Sequence, residues 1–148
     1  MHVEVLSSIP MSGSIRERHF NASPGRNAWV RFDDGIGDPW VGVFGLRSDE
    51  YHSARLSTGM PAAVAPFSDD AGRTVLVIAG THGYVVDAVL GVMLRESAIY
   101  CGYNFTLASP PARDFVLLAD EYRIHAVYRD RDVQVALAGS DPDDYVSL

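Results

Sequence analysis

The sequence predicts a mainly β domain, built of meandering antiparallel hairpins in an open or sandwiched stack of sheets, with at most two short helices. Three observations carry this. Short apolar stretches at Trp40–Gly45, Val75–Gly80 and Phe115–Asp120 are rich in β-branched or aromatic residues and end on a small or turn residue, the signature of doubly buried strands. They recur roughly 35 and 40 residues apart, a spacing found in β-repeat arrays. After the third stretch the chain alternates with period 2, giving one wetter face.

The elements follow in chain order. The opening residues Met1-His2-Val3-Glu4-Val5-Leu6 lack the basic start and apolar run of a signal peptide. Met11–Pro24 and Gly59–Gly72, with their Ser, Gly, Pro and Asp, are assigned as loops. Ala28–Phe32 and Trp40–Phe44 form a hairpin around the loop Asp33–Pro39. Residues 48–56 stay open between a short capped helix, acidic at Asp49 and Glu50 and closing on Arg55, and a further strand. Thr74–Ala79 is a strand, Gly80-Thr81-His82-Gly83 a turn, and Tyr84–Val89 the return strand. A helix capped by Asp87 and running to Arg95 is the rival over residues 87–95, weakened by Gly91 and by β-branched content.

The third unit is the clearest. Beyond Phe115–Asp120, the residues Tyr122, Ile124, Ala126 and Tyr128 alternate with Arg123, His125, Val127 and Arg129 on the wetter face. Asp130-Arg131 turns the chain into Val133–Leu137, completing a three-stranded meander. Ser140 with Asp143 caps one last turn. No shift in composition marks a boundary, so residues 1–148 read as a single domain.

The unit of apolar strand, small turn and hairpin, with Gly83-Tyr84-Val85-Val86-Asp87 after the turn, resembles the blades of propeller proteins and small bacterial β-rich proteins built from such hairpins. The resemblance spans roughly Trp29 to Leu137. It implies a bacterial protein and incomplete propeller-like repeats, because no Trp-Asp dipeptide ends a unit and three units are fewer than the usual four blades. It implies no activity.

Charge and residue usage narrow the chemistry. The net charge is −7, which repels phosphate backbones and anionic lipid and favours a basic protein partner; neither nucleic acid nor membrane is expected. No apolar run approaches the roughly 20 residues of a bilayer span. All 12 basic residues are arginine, a usage that fits a GC-rich genome. Without lysine, Schiff-base chemistry, pyridoxal-phosphate anchoring, Ser-Lys hydrolysis, a Walker phosphate loop and a protein-kinase site are excluded. One cysteine, Cys101, makes no internal disulfide and reads as a small buried residue beside aromatics. The Asn21 and Asn104 glycosylation triplets read as chance, and a cytoplasmic location follows.

Few motifs carry chemistry. The loop Asp33-Asp34-Gly35-Ile36-Gly37-Asp38 resembles the Gly-x-Gly-x-Asp element of calcium-binding β-rolls, but the spacing fails and no second copy shares ligands, so a solvated loop is expected. Asp141-Pro142-Asp143-Asp144 reads as an acidic terminus. The five histidines form no zinc motif, and no metal or cofactor is expected. His82, exposed on a turn between glycines with Asp87 or Asp120 near, is the best acid-base candidate. His125 reads as surface decoration. The Tyr100-x-x-Tyr103-x-Phe105 stretch is the candidate exposed aromatic patch. No nucleophile elbow and no dinucleotide-binding glycine motif occurs.

These readings converge on a non-enzymatic protein-binding module of the bacterial cytoplasm, in its sharpest form an immunity or antitoxin-like protein acting on a basic partner, with homodimerisation through an edge strand also open. The alternatives are a small enzyme or ligand-binding protein centred on His82, and a structural subunit of a repeat assembly. The binding residues expected are His82, Asp87, Asp120, Tyr100 and Tyr103.

Overall fold

The computed structural model describes residues 1–7, 15–22, 27–45, 62–80, 82–97, 105–120 and 123–135. Among them all helix and strand assignments are strand, and no helix is long and apolar enough to cross a membrane. The order is β1 His2–Leu6, β2 Arg16–Phe20, β3 Asn27–Asp33, β4 Trp40–Gly45, β5 Ala62–Pro66, β6 Thr74–Ala79, β7 His82–Asp87, β8 Val92–Ser97, β9 Phe105–Ala108, β10 Phe115–Asp120, β11 Ile124–Tyr128 and β12 Asp132–Val135.

These strands make three four-stranded sheets. The second runs β5-β6-β7-β8 and the third β9-β10-β11-β12, each an antiparallel meander in chain order. The first runs β1-β3-β4-β2, with β2 parallel to β4, so it is no simple meander. Within it the expected β3–β4 hairpin forms, Phe32 facing Trp40 in the ladder. The three apolar stretches of the sequence become β4, β6 and β10, each paired on both edges.

Side-chain alternation stacks the sheets face to face. Val75, Val77, Ala79, Tyr84 and Val86 of the second sheet pack against Ala28, Val30, Phe32, Trp40 and Phe44 of the first. From its other face, Leu76, Ile78 and Val85 meet Val116, Leu118 and Val127 of the third. The second sheet is thus covered on both sides, which is why β6 is apolar at every position after Thr74 rather than alternating. β1 lies against β5, and β5 against β9, so the first strands of the three sheets adjoin.

Polar ties cross both sheet interfaces. Between the first and second sheets, the indole Nε1 of Trp40 donates to the Ala88 carbonyl at 2.9 Å and the Tyr84 hydroxyl to that of Gly45 at 3.1 Å. Between the second and third, Arg129 reaches Asp69 at 2.5 Å and Asp70 at 2.7 Å, its guanidinium carbon 4.7 Å from the Phe67 ring centroid. Arg95 binds Asp132 at 2.7 Å and the carbonyls of Tyr128, Arg129 and Arg131 at 2.7–3.0 Å. Arginine suits this role because its planar fork satisfies several acceptors at once.

Several expectations change. The presumed loop Met11–Pro24 contains β2, whose polar Arg-Glu-Arg-His run is exposed and whose Phe20 stacks on Phe44 at 4.8 Å; pairing with β4 supplies what sequence alternation did not show. The presumed loop Gly59–Gly72 contains β5, whose small side chains fit beside the adjoining first strands. His82 opens β7 opposite Ala79 instead of sitting in a turn. Residues 87–95 form neither one helix nor one strand: β7 ends at Asp87, residues 88–91 turn, and β8 begins at Val92. His125 is buried rather than surface decoration, because its face of the third sheet, shared with Val127, is the one packed on the second. Residues 48–56, Cys101 and the terminal acidic cluster lie outside the described residues.

Candidate protein-binding surface

The β7–β8 turn is built around one carboxylate. Asp87 Oδ1 accepts the backbone N–H groups of Val89 and Leu90 at 3.0 and 2.9 Å, and Oδ2 accepts Arg73 Nε at 3.1 Å. Its carbonyl accepts the Gly91 N–H at 2.8 Å, while Ala88, itself buried, is bonded through its N–H to Arg73 and through its carbonyl to Trp40. Gly91 closes the turn at φ +68°, a conformation that glycine takes without a Cβ penalty. The turn is therefore held from within, by Arg73 just before β6 and by Trp40 of β4.

What this scaffold presents is apolar. Val89, Leu90, Val92, Met93 and Leu94 are each 38–57% exposed, interrupted only by Gly91, and no charge falls among them. Isolated exposed aliphatic residues are ordinary, but here five occupy six positions around one turn and the start of the strand that leaves it, Val92 and Met93 pointing to opposite faces at the sheet's edge. β8 is moreover an outer strand, paired with β7 alone among the described strands. A register shift between Val85 and Val86 sets Arg95 and Met93 opposite them, leaving Leu94 as the extra residue of a β-bulge.

Of the other outer strands, β1, β5 and β9 adjoin one another, while β2 and β12 are charged. β2 carries Arg16, Glu17, Arg18 and His19, and β12 carries Asp132 and Gln134, so charge guards both against strand pairing. The first half of β8 has no such guard. Arg18 borders it, its side chain crossing Gly91 so closely that a Cβ there would lie 2.5 Å from Nε.

The expected site residues are not brought together as one centre. His82 and Asp87 stand at opposite ends of β7, opposite Ala79 and Thr74. His82 lies beside Tyr84, ring centroids 5.0 Å apart, with Nε2 3.2 Å from Glu96 Oε2 but out of hydrogen-bond alignment. Glu96 also accepts the Asn21 side-chain amide. Asp120 ends β10 in the third sheet and accepts the Arg123 N–H at 2.7 Å, closing the β10–β11 turn. Asp87 does border the surface, as the residue that shapes its tip. Tyr100 and Tyr103 lie outside the described residues, and Phe105 of the same stretch is buried.

Other polar groups find local partners, whereas the buried His125 Nε2 has no hydrogen-bond partner among the described residues. In the acidic loop Asp34 Oδ1 accepts the N–H groups of Gly37 and Ile36 at 2.9 Å each, bonds that hold its carboxyl below the usual range. A shallow hollow of about 400 Å³ lies there, lined by Met1, His2, Asp33, Asp34 and Gly35. Among the described residues no three metal-ligating side chains converge. Burial would raise the Asp70 carboxyl, but the Thr74 hydroxyl and Arg129 overcome it and hold the group low.

The apolar run was visible in the sequence as Val89-Leu90-Gly91-Val92-Met93-Leu94, but read there as strand or helix interior. Its separate signal was the Asp87…Gly91 pair, a side-chain cap and a positive-φ glycine bracketing a turn. No family model matches the chain, and neither a curated protein nor a solved structure matches it.

Proposed function

We propose that this chain is a protein-binding module whose contact surface is the tip and outer edge formed by Val89, Leu90, Val92, Met93 and Leu94. The carrying observation is that Val89 and Leu90, on a turn fixed by Asp87, Ala88 and Gly91, and Val92, Met93 and Leu94, on the outer strand that leaves it, are all exposed. Preorganisation matters energetically, because a surface already ordered loses little further entropy when a partner covers it. The net charge of −7 steers a basic protein toward the molecule from a distance, while the apolar strip supplies the contact itself. An immunity or antitoxin-like role in the bacterial cytoplasm is the form of this function that fits a small acidic binder.

The test is a photo-crosslinking side chain placed at Leu90 and, as control, at Ile36, an exposed aliphatic residue on the Asp33–Pro39 loop. In the native cell, position 90 should trap one protein of defined mass and position 36 should not. Leu94→Asp should abolish that adduct. Equal adducts from both positions, or none from position 90, would defeat the proposal.

A further inference from the structure

We infer that the strip receives an extended segment of a partner protein, apolar along the strip and carrying a carboxylate where it meets Arg18. This rests on the strip being the binding surface and adds the chemistry of what lies on it. Among the described strands β8 pairs on one side only, which directs backbone N–H and C=O groups away from its sheet, the groups an added strand uses. The uncharged side chains of Val92, Met93 and Leu94 offer such a segment apolar contact, in contrast to the charged edges β2 and β12. The bulge at Leu94 disfavours long, register-free pairing and confines contact to a short segment.

Arg18 supplies the polar half of the recognition. It is exposed on β2, has no ion-pair partner among the described residues, and its stem lies over Gly91 in the middle of the apolar run. Arg16 lies two positions before it on the same face of β2, its guanidinium held by the Asp38 carbonyl at 2.7 Å. A cation at the rim of an apolar strip is matched by a carboxylate beside apolar side chains. A second copy of this chain matches it poorly, since a two-fold contact centred on the strip would bring two Arg18 side chains toward each other.

The probe is a panel of eight-residue peptides of alternating valine and threonine, with one glutamate, glutamine or arginine near either end, binding followed by fluorescence anisotropy. The glutamate peptide should bind about threefold more tightly than the glutamine peptide, the scale of one exposed ion pair, and the arginine peptide should bind most weakly. Arg18→Gln should erase that ranking, and Leu90→Asp should weaken all peptides together. The inference is overturned if no peptide binds, if glutamate and glutamine peptides bind alike, or if the ranking survives Arg18→Gln. It is equally overturned by a dimer that Leu90→Asp dissolves, or by binding to phosphatidylserine vesicles that Leu90→Asp abolishes. An adduct at position 90 together with a failed panel would leave the binding surface standing and remove only the extended acidic segment; failure of both would remove the surface as well.

Discussion

Asp87 holds the turn that displays Val89 and Leu90 by accepting two backbone N–H groups and the Arg73 guanidinium. Asp87→Ala should therefore cost about 1–3 kcal/mol, the usual penalty for stranding such groups, and should speed amide exchange at Val89 and Leu90. Asp87→Asn keeps an acceptor for both N–H groups and should cost less. Equal losses in urea unfolding would mean that the ion pair, not the turn, is what Asp87 supports. His125 gives a second residue-scale prediction. Burial pushes its imidazole below the ordinary value of 6.5, outweighing the nearby Asp120 carboxylate, so the folded protein binds the proton less readily than the unfolded chain. Its contribution is intact above pH 6.5 and declines as the pH falls below that value toward the folded-state pKa. Unfolding free energies between pH 7.5 and 5.5 should show this decline, and His125→Gln should flatten it; an unchanged slope would assign it to other groups. At this scale the sequence was least legible. His82 and Asp87 were adjacent enough in sequence to suggest one centre, but a strand separates its ends, and which face of β11 met the second sheet depended on packing that alternation alone does not choose.

At the scale of elements, the arginines that link the second and third sheets are the parts most open to test. Arg129 spans from the β11–β12 turn to Asp69, Asp70 and Thr74, and its bonds to Asp69 and Asp70 hold its proton more firmly than usual. Arg129→Leu should destabilise by about 1–3 kcal/mol, because Asp70 loses its cation while half-buried. A double-mutant cycle with Asp70→Asn should show a coupling of about 0.5–3 kcal/mol; additive losses would show that the two side chains act independently. The central strands β4, β6 and β10 were legible because burial writes an apolar run into the sequence. Edge strands leave weaker marks. β2 exposes four of its five residues and β5 is mostly alanine, so neither shows alternation, and both were read as loop. The hairpins β3–β4 and β11–β12 were legible from their turns, where Asp33, Asp34, Asp130 and Arg131 interrupt alternating strands.

For the whole molecule, stability and binding are assigned to different surfaces. Aromatic and aliphatic layers between the sheets, tied by Trp40, Tyr84, Arg95 and Arg129, hold the fold. The strip from Val89 to Leu94 is displayed by that fold without being part of either intersheet core. A mainly β stack was evident from the sequence because three apolar strands of similar length recur; the exposed strip proposed to bind was not, because exposure of a short apolar run is a property of tertiary structure. The most direct measurement of this division is urea unfolding of the Val89→Ser, Leu90→Ser, Leu94→Ser triple variant. Exposed side chains away from the core change stability by no more than about 0.5 kcal/mol each, so the variant should unfold close to the parent and with the same denaturant slope. A loss well beyond about 2–5 kcal/mol, the cost of truncating even one buried aliphatic side chain, would place the strip inside the core and contradict its assignment as a binding surface.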